Sequence, residues 1–349
     1  VIGKADLMEE IARLYGYDRI PSNRLEDLLP PQRTNFIDDF ERKVKNTLAN
    51  MGLQEVINYR LTSPEEEKRI LPDSNSEYEK TYIQILNPIS QDKRVMRSEL
   101  IPQMLVNLEH NIRHNDRLGL FEIGPVFISQ GEQQLPKETY HLCIGLSGLE
   151  QNKAWDRKEP KVVDFYDLKG YVEILLEALH IENIKFSPDK TPIFHPGKCA
   201  AISCNEVTVG IFGEIHPRTL EKYDFLENQV YIADFDLGAL FANLPDSFHS
   251  QPVSTYPPVL EDLAVIVPDE MPSKQVEEVI RSAGGDLLTN VTLFDVFKGE
   301  QIGSGKKSLA YNLTFQAFDR TLTDKNVEKT REKIIKSLET QIEAVVRKK

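Results

Sequence analysis

The chain has 349 residues, more than one ordinary core accommodates, so two or three domains are expected, and a composition of 40% hydrophobic and 28% charged residues describes folded protein. No apolar run approaches the roughly 20 residues that cross a bilayer and no signal-peptide pattern opens the chain; three cysteines, Cys143, Cys199 and Cys204, without C-x-x-C spacing argue against a disulfide framework or a structural zinc site. A soluble intracellular chain with reduced, buried thiols is expected, and the net charge of -13 speaks against nucleic acid only as an average, because from Tyr256 onward 14 Lys+Arg face 15 Asp+Glu, leaving 28 against 40 before it.

"ADLMEEIARLYGYDRIP" (Ala5 to Pro21) reads as a short helix running into proline. Asp6, Glu9 and Glu10 are spaced three and four apart, so a helix places all three carboxylates on one face. Two proline-rich joints follow, "IPSNRLEDLLPPQR" (Ile20 to Arg33) and "HSQPVSTYPP" (His249 to Pro258), and divide the chain into a stub, a large middle and a C-terminal module. In the middle, Ile37, Phe40, Val44, Leu48 and Met51 recur at helical spacing and stop at Gly52. "LQEVINYRLTS" alternates like a strand, and a second helix follows "NPISQDKRVMRSELIPQML". "RLGLFEIGPVFIS", "YHLCIGLSG", "CAAISCNEVTVGIFGEI" and "VYIADFDLGAL" are β-rich. Strands outnumber helices without alternating with them, so the expected fold class is α+β, an antiparallel sheet with helices packed on it.

The C-terminal module reads as strand "LEDLAVIVPD", helix "SKQVEEVIRSAG", strands "LLTNVTLFDVFKG" and "KSLAYNLTFQ", helix "TDKNVEKTREKIIKSLETQI" and last strand "AVVRKK", the βαββαβ order of a ferredoxin-like fold. Leu309, Tyr311, Leu313 and Phe315 alternate onto the core face. Ala310, Asn312, Thr314 and Gln316 alternate onto an open face that is small and polar instead of an aromatic platform.

Taken together, "ADLMEEIARLYGYDRIP", "NPISQDKRVMRSELIPQML", "LFEIGPVF", "FHPGKCA" with "VGIFGEIHP", "AGGDLLTNVTLFDVFKGEQIGSGKKSLAYNLTFQ" and "RTLTD" stand in the order found in one family. The chain resembles the beta subunits of bacterial phenylalanine–tRNA ligases over nearly its whole length. The resemblance implies a remnant of a B5 domain at residues 1–22, a linker at 23–35, and an inactive catalytic-like module with a class II synthetase fold at 36–247. A linker at 248–256 and a ferredoxin-like anticodon-binding domain at 257–349 complete it, the whole corresponding to the C-terminal part of a longer family chain.

Each site carries two readings. For Asp6, Glu9 and Glu10, an acidic first turn favoured by the helix dipole is one. The resemblance implies the other, a Mg2+ site at the junction with the alpha subunit, completed by an aspartate that would fall just upstream of Val1. His110 and His114 at i and i+4 lack the glutamate of a zinc helix and a third ligand, so surface or interface histidines are expected. "GEQIGSGKKS" (Gly299 to Ser308) fails the phosphate-loop spacing and reads as a glycine-rich connection between strands, from which Lys306 and Lys307, with Arg320 further on, are candidates for contacts to an RNA backbone. "FEIGPVF" runs into Ile128 and Ser129, where a class II catalytic domain would need an arginine for the ATP α-phosphate. No glycine-rich third motif is found, so no catalytic residue is expected. Glu261 stands before Asp262 where the family usually has arginine, which weakens any RNA contact assigned to that strand.

The expected function is therefore a non-catalytic, tRNA-binding part of a cytoplasmic synthetase, pairing with an alpha subunit that binds ATP and phenylalanine in an assembly of two alpha and two beta subunits. A free-standing RNA-binding adaptor built from the same modules is the alternative; an autonomous amino-acid-activating enzyme is disfavoured by the missing arginines.

Overall fold

The computed structural model describes residues 3–23, 34–72, 82–131, 134–248 and 253–346; most of the first joint, the start of the second and the end of "AVVRKK" lie outside the described residues. The chain divides into two compact units, Val1–Phe248 and His249–Lys349.

In the first unit, α1 (Lys4–Tyr15) buries none of its residues, and Leu7, Met8, Ile11 and Leu14 are all exposed. Helix α2 (Phe36–Asn50) begins where the Asn35 side chain accepts from the Ile37 N–H (3.2 Å), and it ends at Gly52, whose φ of +85° suits a residue without a Cβ. The expected strand over 53–63 is broken in two. β1 (Gln54–Glu55) runs parallel to β4 (Arg117–Ile128), whereas β2 (Leu61–Thr62) pairs with β3 (Val95–Met96). Between them the backbone leaves the sheet because Glu122 captures Asn58 through both its backbone N–H (3.2 Å) and its side-chain amide (2.7 Å). α3 (Pro64–Arg69) and α4 (Ile101–Asn111) follow β2 and β3 respectively.

The main sheet continues with β5 (Lys137–Gly148), β6 (Ile184–Pro188), β7 (Phe194–Cys204), β8 (Val207–Ile215) and β9 (Val230–Asp236), in the order β1-β4-β5-β9-β8-β7-β6; every pair except β1/β4 is antiparallel. β7 and β8 are joined by Asn205 and Glu206, both at positive φ (48° and 67°), the left-handed turn that matches strand twist. The sequence reading passed over α5 (Phe165–Ala178), which starts with reciprocal capping: Asp164 accepts from the Tyr166 and Asp167 N–H groups, while the Asp167 carboxylate accepts from the Asp164 N–H (2.6 Å). Short helices α6 (Pro217–Leu220) and α7 (Leu237–Ala242) complete the unit.

Strand alternation gives the sheet two apolar faces. Phe121, Leu142, Ile144, Ile202, Phe212 and Phe235 pack under α2 and α5; Leu120, Cys143, Cys199 and Ile232 pack under α4. Cys143, Cys199 and Cys204 are free and buried, as expected. Burial pushes all three thiols up, Cys199 to about 12 with Asp189 adding to the effect.

The second unit contains β10 (Val259–Pro268), α8 (Ser273–Gly284), β11 (Leu288–Phe297), β12 (Lys306–Phe315), α9 (Asp324–Gln341) and β13 (Val345–Val346), with sheet order β11-β12-β10-β13. That is the expected βαββαβ arrangement. Leu263, Val265, Leu309, Tyr311, Leu313 and Phe315 form its core with Val276, Ile280, Ile334 and Leu338 from the helices. No described helix in either unit is long and apolar enough to cross a membrane.

At Gly145 the side chains of α4 press directly on the main sheet, since a Cβ there would meet Leu108 Cδ1 at 2.9 Å and Met104 Cγ at 3.0 Å. Gly145→Val is expected to destabilise the first unit by about 1–3 kcal/mol through overpacking. Leu108→Ala alone should cost about 2–5 kcal/mol, and the double variant less than the sum. Urea unfolding midpoints of the four proteins check this cycle.

Candidate functional site

In the second unit the helices cover one sheet face and leave the other open. Register places Asp262 beside Asn312 and Asn312 beside Thr292, and the Asn312 amide donates to Asp262 Oδ1 (3.1 Å). β12 therefore contributes small and polar groups to this face, as its alternation requires. The neighbouring strand does not. A shift of register between Leu293 and Asp295 inserts Phe294, which is exposed, and sets Phe297, 43% exposed, opposite Ser308 on the open face. The expectation of a face without aromatic rings is thus corrected: alternation read along β12 alone could not reveal rings supplied by β11. Gly299 lies close beside this ring, where a Cβ would meet Phe297 Cζ at 2.7 Å and the exposed ring would have to turn aside.

The candidate RNA-contacting cations do not form one cluster. Lys306 is exposed at the start of β12, on the same alternation as Ser308 and Asn312. Lys307 alternates to the other face, where its charge joins Lys298 in holding Asp269 below the usual carboxylate range; Lys298, hydrogen-bonded to it, is the main cause. Arg320 lies in the loop beyond the far end of β12 and pairs with Asp319 (3.0 Å). The ten residues of that strand separate it from the lysines by about 30 Å at roughly 3.3 Å per residue. Glu261 and Asp262 part in the same way. Glu261 faces Arg331 of α9 (3.4 Å) on the covered side and so points away from the open face that Asp262 joins. The glycine-rich segment between β11 and β12 is a connection, as expected, with Gly303 and Gly305 at positive φ.

At the centre of the first unit is an ion pair that sequence did not single out. Arg97 and Glu122 are each about 1% exposed, with Nη1 2.6 Å from Oε1. Arg97 also donates to the Pro125 carbonyl (2.9 Å) and to Gln103 Oε1 (3.0 Å), and Asn107 donates to Asn58 (2.8 Å) behind Glu122. A Cβ at Gly124 would stand 2.2 Å from Arg97 Nη2, so glycine is needed for the guanidinium to lie there. This guanidinium is spent on internal partners. At the end of β4, Ile128 is exposed and the Ser129 hydroxyl accepts from the Gly131 N–H (3.3 Å), so neither supplies a cation. Nearby, His141 Nδ1 lies 2.8 Å from Asp234. Burial alone lowers the imidazole pKa, but the hydrogen bond and charge of Asp234, reinforced by Asp236 and Glu99, more than offset it and the net shift is upward.

The acidic stub is helical, and its carboxylates are partly committed: Asp6 accepts from the Gly3 N–H (3.1 Å) and Glu10 pairs with Arg13 (2.5 Å). His110 and His114 are exposed, with ring centroids 6.1 Å apart. Among the described residues no group of three His, Cys, Asp or Glu side chains stands close enough to hold a metal ion, so Asp6, Glu9 and Glu10 do not by themselves make a cation cage.

Two modules in this order are also what comparison with known proteins finds. Residues 20–237 match the family model described as "Phenylalanyl tRNA synthetase beta chain CLM domain", and residues 254–347 match "Ferredoxin-fold anticodon binding domain". The chain belongs to the family of phenylalanyl-tRNA synthetase beta chains. It is 37% identical over 347 residues to the phenylalanine–tRNA ligase beta subunit of Clostridium acetobutylicum, covering 99% of this chain and 42% of that protein. It is 35% identical over 344 residues to that of Bacillus subtilis, covering 98% and 42%. The chain thus spans about two fifths of the length of these relatives.

Two outcomes are expected from the buried pairs. Arg97→Ala, which strands Glu122 without its partner, should cost about 3–5 kcal/mol in urea unfolding, whereas replacing both residues with apolar ones of similar volume should cost less. His141 binds its proton more tightly in the folded than in the unfolded chain. Its contribution is therefore complete below the unfolded value of about 6.5 and is lost as pH rises through the higher folded value. The urea midpoint of His141→Gln should lack that decline across the same pH range.

Proposed function

We propose that this chain is the non-catalytic part of a phenylalanine–tRNA ligase beta subunit, which pairs through its first unit with a catalytic alpha subunit and holds tRNA(Phe) with its second. The observation that carries this reading is the union of a beta-chain sheet module, whose buried Arg97 is neutralised internally, with an anticodon-binding fold whose open face offers hydrogen-bonding groups beside exposed rings. Unpaired bases are held by stacking on aromatic rings and by hydrogen bonds to their edges, and Phe297, Phe294, Asp262 and Asn312 are of those types. Lys306 and Arg320 would meet the backbone at opposite ends of that face, and Lys307, on the other side of the strand, would contribute only its charge. We read the first unit's largely antiparallel sheet as a class II synthetase domain without its chemistry: adenylate formation places negative charge on an α-phosphate, and Ile128 and Ser129 offer it no cation. ATP and phenylalanine would therefore be bound by alpha, in a cytoplasmic assembly of two alpha and two beta subunits. Asp6, Glu9 and Glu10 would contribute to a Mg2+ site only with ligands from outside the described residues, the ion serving to hold carboxylates of like charge together at the junction.

One experiment tests both halves. The chain should bind tRNA(Phe), Phe297→Ala should weaken binding about tenfold, and replacing Lys306, Lys307 and Arg320 with Ala should reduce the salt slope by about 2. The same preparation should give no phenylalanine-dependent ATP–pyrophosphate exchange without alpha. Exchange by the chain alone, or tRNA binding indifferent to all four residues, would overturn the corresponding half.

A further inference from the structure

The segment between β5 and α5 carries the chain's only tryptophan, and Trp155 is 91% exposed. Ala154 and Arg157 exchange two backbone hydrogen bonds (3.0 and 3.1 Å), closing a tight hairpin with Trp155 and Asp156 at its tip. A large ring held in water by a structured turn gives up the burial that ordinarily stabilises it. In a chain of net charge -13, residues 151–161 carry Lys153, Arg157, Lys158 and Lys161 against Asp156 and Glu159. Lys161 is engaged by the α5 cap, 2.8 Å from Asp164, whereas Lys153 is exposed with its nearest carboxylate, Asp116, at 3.9 Å.

Beside the hairpin is a cavity of about 730 Å3, lined among others by Arg117, Arg157, Tyr166, Tyr171, Gln151 and Asn152. The Arg117 guanidinium is fixed by the carbonyls of Glu150 (3.0 Å) and Gly52 (3.2 Å) and by the Tyr171 hydroxyl (3.3 Å), and Tyr166 is 74% exposed. Flat guanidinium and aromatic surfaces beside carboxamides form the chemistry that takes a splayed-out base, while lysines and arginine at the rim suit phosphates. Protein interfaces also favour tryptophan and arginine, but their cores are depleted of lysine, which is abundant here.

We propose that the Trp155 hairpin and its neighbouring cavity are a second RNA-binding surface, which takes an unpaired segment of the tRNA. The indole stacks on a base, Lys153, Arg157 and Lys158 meet the backbone, and the cavity accepts the adjacent nucleotide. This rests on the tRNA-binding reading of the chain but uses no residue of the ferredoxin-like unit.

Because Trp155 is the only indole, its emission reports on this surface alone. Titrating the chain with tRNA(Phe), corrected for absorbance, should quench and shift that emission. Trp155→Ala should weaken tRNA binding about tenfold, and replacing Lys153, Arg157 and Lys158 with Ala should reduce the salt slope by about 2. A urea transition followed by far-UV circular dichroism verifies that the triple variant folds. Phe297→Ala, measured in parallel, separates the two readings. If it weakens binding while tRNA leaves the indole emission unchanged, this surface is not an RNA site and the anticodon-binding role stands. If tRNA does not bind at all, both fall. Emission that responds to added alpha subunit and not to tRNA would reassign the hairpin to a protein interface and overturn the proposal.

Discussion

The first unit depends on a charge pair sealed from water. Arg97 and Glu122 meet at 2.6 Å with every other strong bond of the guanidinium directed at the protein: the Pro125 carbonyl, Gln103 and the carboxylate itself. Desolvating two charges is costly, and an attraction of this kind persists only where the remaining lone pairs and protons are met. That demand dictates the surroundings. It requires glycine at position 124, draws Asn58 out of strand geometry, and links β4 to the loop after β3 and to α4 through Gln103 and Asn107. The pair specifies how these segments meet, a job that apolar packing, being non-directional, performs less selectively.

The same pair bears on function. A guanidinium packed against a large sheet is the kind of group that could steady a phosphate, but this one is held by a carboxylate and excluded from solvent. The module has a broad sheet covered on both faces, and its buried Arg97 and Glu122 serve internal support. In the second unit aromatic rings and cations remain exposed, because strand alternation gives every core side chain an outward neighbour and the register shift at Phe294 brings rings of β11 to that side.

How much of this was legible depended on the range of the signal. Leu309, Tyr311, Leu313 and Phe315 alternate within ten residues, so the core face of β12, and with it the βαββαβ order, could be read directly. The aromatic edge could not, because a register shift at Phe294 alters the alternation of a strand whose partner is known only after folding. The one local signal of α5 is the capping-box spacing of Asp164 and Asp167, which lies in a stretch otherwise flanked by β-rich segments. Arg97 and Glu122 are 25 residues apart, and nothing local announces that they will meet. The resemblance supplied family and domain order where local physics was silent, but it did not indicate that Glu261 would turn toward Arg331 and away from the open face.

The three cysteines divide between the two faces of the main sheet: Cys204 lies in the core under α2 and α5, Cys143 and Cys199 in the core under α4. Burial keeps all three in the protonated, weakly nucleophilic form and out of reach of alkylating agents. Modification of each thiol is consequently gated by opening of the layer above it, and the chain carries natural stopwatches for the two halves of its core. If one helical layer lifts before the other, Cys204 and Cys143 will be alkylated at different rates, and mass spectrometry of the peptides that contain them will reveal the order in which the sheet is uncovered.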